Sequence, residues 1–90
     1  MTKLTKAEFY EKFDPDVHDQ LDAQLAKPGV TGLVLFENVD FCSSAFGART
    51  ACIVGPACTF KTAADCEGKW LNDLPSQRQY AQAYYEKEAA

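Results

Sequence analysis

PSQRQYAQAYYEKEAA, residues 75–90, is the stretch whose reading decides the fold. Ser76 stands where a helix N-cap belongs, Gln79 follows three positions later as in a capping box, and strong helix formers continue from there. Tyr80 and Tyr84 then fall on one face. The spacing predicts a closing helix over 77–87. Upstream, Thr62-Ala63-Ala64-Asp65 repeats the capping pattern and Gly68 supplies a stop, which predicts one helical turn carrying Cys66.

Between this turn and the N-terminal third the periodicity changes. VTGLVLFENV, residues 30–39, is rich in β-branched and large apolar side chains without helical spacing and reads as a central strand. RTACIVGP, 49–56, reads as a second strand closed by Gly55-Pro56, and ACTFK, 57–61, as a short third one returning antiparallel.

The N-terminal third reads as two helices. Thr5-Lys6-Ala7-Glu8 has the form of a capping box, and Phe9 and Phe13 share one face. Asp14-Pro15 restarts the chain, Val17, Leu21 and Leu25 follow at intervals of four, and Lys27-Pro28-Gly29 ends the run. The whole is expected to be one small α+β domain over residues 1–90. It comprises two N-terminal helices, an antiparallel sheet of about three strands, a one-turn helix and a C-terminal helix.

Composition bounds the function classes. Ninety residues suffice for one core, and 47% hydrophobic with 12% aromatic residues is globular composition. Nine basic residues against 13 acidic ones give a net charge of −4, and the basic residues are scattered. Nucleic acid and anionic membrane need a local excess of cations, so neither is an expected partner. No apolar run approaches the roughly 20 residues that cross a bilayer, and the first residues show no secretion signal. A cytoplasmic location is the expectation.

Four cysteines, Cys42, Cys52, Cys58 and Cys66, raise disulfide, metal and redox readings. A reducing compartment favours free, partly buried thiols. Structural zinc sites pair ligands two to four residues apart, and no two of these cysteines are that close. Asp14, Asp16, His18, Asp19 and Asp22 gather carboxylates with the only histidine, but lack the central Gly and terminal Glu of a calcium loop. Carboxylates early in a helix also complement its dipole. With no phosphate loop, nucleophile elbow or acid pair, a catalytic role is not expected, nor is a cofactor.

In LFENVDFCSS, residues 35–44, Phe36 and Phe41 flank four residues and Ser43 stands two after the second aromatic. This resembles the first half of a βγ-crystallin Greek-key signature. NDLPS, residues 72–76, is similar to that family's calcium-binding stretch. The resemblance implies a β-sandwich half holding calcium through Asn72, Asp73 and Ser76, and requires a strand where the tail reads as helix.

The function expected from these residues is non-catalytic binding of another protein. Trp70, Tyr80, Tyr84 and Tyr85 are the candidate contacts, because Trp and Tyr concentrate interface energy, with Arg49 and Arg78 as anchors for acidic groups. The alternatives are the calcium-binding module and a thiol-based redox or metal protein. A small core also makes self-association a natural source of added stability.

Overall fold

The computed structural model describes residues 1–38, 49–71 and 78–87. Strand β1 spans Thr2–Lys3, helix α1 Lys6–Glu11, helix α2 His18–Ala26, β2 Gly32–Glu37, β3 Arg49–Val54, β4 Trp70–Leu71 and β5 Gln79–Glu86. Short 3-10 segments at Pro15–Val17 and Ala63–Cys66 complete the order. The five strands form one mixed sheet in the order β1-β5-β2-β3, with β4 also pairing β5.

This corrects the expected architecture. The described chain is mostly sheet. The segment expected to be a helix over 77–87 is instead β5, antiparallel to β2 on one side and parallel to β1 on the other. Residues 57–61 form turns in place of the expected third strand. The Gly55 N–H donates to the Phe60 carbonyl and the Cys58 N–H to the Gly55 carbonyl, so the chain turns back on itself after β3.

The reason for the tail lies in β2, whose residues 32–36 are all buried. A buried strand needs its backbone N–H and C=O groups bonded on both edges, and β3 serves only one of them. Residues 79–86 serve the other, and that requirement outweighs a local helix preference of a few tenths of a kcal/mol per residue (about 0.5). A register shift lies between Leu35 and Phe36, whose partners are Ala83 and Ala81, so Gln82 is the extra residue of a β-bulge. The bulge puts Ala81 and Ala83, two apart in sequence, on opposite faces.

Two cores follow. Leu33, Leu35 and Ala83 pack against Phe9, Leu21 and Leu25 of the helices, with Tyr85, Ala51 and Ile53 alongside. On the other face Val34, Phe36 and Val54 meet Ala63 and Cys66, with Cys52, Ala81 and Tyr84 at the border. Among the described residues a single sheet is thus clad by helices on one side and a turn-rich cover on the other. β5 is the strand that the Greek-key resemblance requires in the tail, while Phe41, Ser43 and residues 72–76, which carry that resemblance, lie outside the described residues.

Local caps hold the cladding. The Thr5 hydroxyl accepts the Glu8 N–H at 3.2 Å while the Glu8 carboxylate accepts the Thr5 N–H at 2.9 Å. Thr62 and Asp65 form the same reciprocal box at the head of the 3-10 turn. The Tyr10 hydroxyl donates to Asp22 at 2.6 Å and joins α1 to α2.

Candidate functional site

The two edges of the sheet are built differently. On one edge β5 is flanked by β4 and β1, each two residues long, with Lys3 in β1 and the bulge at Gln82 in β5 itself. Short strands, a lysine and a bulge are the devices by which native sheets blunt an edge. The other edge is β3, six residues long, paired with β2 throughout and, among the described residues, with no strand beyond it.

The direction of the backbone groups on β3 follows from the register. The Leu4 N–H donates to the Tyr84 carbonyl at 2.8 Å, so Tyr84 turns its backbone groups toward β1. Its partner Val34 therefore bonds on the opposite side, to Cys52. Alternation then points the N–H and C=O of Thr50 and Cys52 at β2, and those of Ala51 and Ile53 outward.

Beside this edge lies a groove of about 230 Å³ between α2 and β3, lined by Phe13, Val17, Leu21, Gln24, Arg49 and Ala51 among others. Its helix wall is a stripe of residues 17, 20, 21 and 24 without a charge, although the flanking Asp16, Asp19 and Asp22 are exposed. From Thr50 to Val54 the edge has no charge, proline or bulge. Arg49 closes one end: its Nε donates to Glu37 Oε1 at 3.0 Å and its Nη1 to the Lys12 carbonyl at 2.7 Å.

The aromatic residues expected to mediate binding are dispersed over the sheet. Trp70 is 46% exposed, packs near Tyr80 with ring centroids 6.3 Å apart, and carries the Arg78 guanidinium 4.9 Å above its ring. The Arg78 Nε is buried and has no hydrogen-bond partner among the described residues. Tyr84 lies against the turn-rich cover and Tyr85 against the helices, so the four aromatic side chains form no common surface. Arg49 bonds to Glu37 and the Lys12 carbonyl as described above.

The cysteines are separate in role. Cys52, Cys58 and Cys66 are free. Burial pushes the Cys66 thiol up to about 11, with the nearby Cys52 and Asp65 adding to the shift, and burial raises Cys52 as well. Neither is an activated thiolate. Cys42, Asn72, Asp73 and Ser76 lie outside the described residues. Among those described, no three His, Cys, Asp or Glu side chains gather as a metal site. His18 directs Nε2 to the carbonyls of Tyr10 at 2.8 Å and Phe13 at 3.2 Å, a structural role at the turn between the helices.

The open edge was not among the residues singled out from sequence, apart from Arg49 and Cys52. The uncharged run from Thr50 to Val54 was its one visible signal. No family model, curated protein or solved structure matches the chain. No helix among the described residues is long and apolar enough to cross a membrane.

Proposed function

We propose that the protein is a non-catalytic binding module that takes an extended segment of a protein partner along the open edge of β3. The observation that carries this reading is the contrast between the two edges. One is blunted by short strands, a lysine and a bulge, while the other offers outward backbone groups at Ala51 and Ile53 with no charge from Thr50 to Val54. Strand addition uses such groups for affinity and adjacent pockets for selectivity, and the α2/β3 groove, beside Arg49 to Ala51, is placed to receive a helix-side side chain of the added strand. Depletion of charge in the centre of the patch fits the core of an interface. The free thiols of Cys52, Cys58 and Cys66 fit action in the reducing cytoplasm.

Selection of short random peptides on nanomolar protein tests the reading. Ala51→Pro removes an outward N–H but no bond to β2, since proline is tolerated where an edge N–H faces solvent. Peptides that bind the parent protein and lose at least about tenfold affinity, roughly 1.4 kcal/mol, for Ala51→Pro are expected. Recovery only of peptides indifferent to that substitution would overturn the proposal.

A further inference from the structure

Resting on the strand-addition reading, we infer that the segment received by β3 is β3 of a second copy, paired antiparallel about a two-fold axis at Cys52. A two-fold normal to the sheet pairs residues of the same face, so its centre must fall on a residue. Outward backbone groups belong to Ala51 and Ile53, which leaves the choice between centres. A centre at Ala51 would set Ala51 against the partner's Ala51 and Arg49 against the partner's Ile53. A centre at Cys52 sets Ala51 against the partner's Ile53.

The second arrangement matches the relief of the surface. Ala51 and Ile53 both lie on the helix side of the sheet. Ala51 is small and borders the groove whose apolar wall includes Phe13, Val17 and Leu21. The partner's Ile53 is thereby placed beside that groove, and by symmetry Ile53 beside the partner's groove. Two pairs of outward groups, Ala51 with the partner's Ile53 on each side of the axis, supply backbone hydrogen bonds, and the sheet runs on through the dimer.

Charge selects a second copy over other strands. The chain carries −4, so two copies repel wherever their carboxylates oppose. Within the register centred on Cys52, residues 50–54 pair only with each other and bring no charge against a charge. The groove wall adds only Val17, Gln20, Leu21 and Gln24 on the helix side. Apart from Arg49, already bonded to Glu37 and the Lys12 carbonyl, the surface gives a foreign strand no ionic handle, whereas an identical strand matches residues 50–54 in length, neutrality and shape. A single edge pairing is a small interface of the weak, transient class.

The same register sets Cys52 opposite the partner's Cys52 in a non-hydrogen-bonded pair. Their Cα separation there is about 4.5 Å, inside the range that a disulfide spans. This provides a register-specific readout. With oxidised glutathione as oxidant, the two thiols become one disulfide, and their two electrons and two protons pass to glutathione, which leaves as two thiols.

Sedimentation over a concentration series, with the parent chain and its variants, tests the inference. A monomer–dimer equilibrium is expected for the parent, with self-association at least about tenfold weaker in Ala51→Pro and an unchanged far-ultraviolet spectrum. Ile53→Pro removes the other outward N–H together with a side chain that packs beside the helix-side core, and it is the second variant, compared with the parent at matched far-ultraviolet spectrum. Cys52→Ser is expected to dimerise still but to lose the oxidised cross-link, whose peptide mass joins Cys52 to Cys52. A parent protein monomeric to hundreds of micromolar overturns the second-copy inference and leaves the strand-addition reading to the peptide selection. A dimer that survives both proline variants, or a cross-link through any other cysteine, also overturns the inference.

Discussion

At the scale of single residues, the two thiols on the turn-covered face differ in access more than in chemistry. Cys66 is fully buried beneath the 3-10 cover and its ionisation is pushed up to about 11, whereas Cys52 is only half-buried on the edge strand. Thiolate is the reacting form, so a raised ionisation and lost access act in the same direction. Alkylation of the folded protein near neutral pH is therefore expected to label Cys52 well before Cys66, with Cys66 reacting only on unfolding. Time-resolved mass spectrometry of the alkylated peptides checks this. Equal labelling of both under native conditions would show that the cover over Cys66 opens readily.

At the scale of elements, the turn after β3 depends on one glycine. Gly55 has φ of 152°, and a Cβ there would run into the Gly29 carbonyl oxygen. That oxygen also accepts the Ala57 N–H at 3.3 Å, so moving it disturbs the turn on both sides. Gly55→Ala is expected to lower stability by about 2 kcal/mol or more, through backbone strain and the displaced carbonyl. Urea titration measures it, and a loss within error of zero would mean the turn has an alternative path. The same scale shows what the sequence displayed. The capping boxes at Thr5 and Thr62 and the strand character of residues 32–37 and 49–54 were legible, because they rest on neighbours within a few positions. Residues 79–86 were not, because caps and helix formers are local signals, while the need of β2 for a second partner is invisible until the sheet exists. The bulge at Gln82 further hid the pattern by breaking the two-residue alternation that would have marked a strand. The candidate site was hidden for a related reason: an edge is a property of topology, and nothing in residues 49–54 says which side lacks a neighbour.

At the scale of the whole molecule, ionisation ties the two clad faces to pH in the same sense. Burial raises Cys66 and Cys52 on one side, and burial together with its bond to Asp22 raises Tyr10 on the other. Each group holds its proton more tightly folded than unfolded. Their stabilisation is thus complete below the unfolded thiol range near 9 and declines as pH climbs toward about 11. The midpoint of thermal unfolding is expected to fall steadily between those values in reductant, and a flat profile there would remove burial as the cause. The order of the strands also has a consequence for synthesis on the ribosome. Because β5 lies between β1 and β2, β1 has no neighbour in the sheet until residues 79–86 emerge. Until then β2 exposes one edge and β3 the other, so a nascent chain carries two unsatisfied edges where the folded sheet, among the described residues, carries one open strand. Completion of the sheet thus waits for residues 79–86, and a ribosome stalled before residue 79 holds a sticky two-stranded fragment.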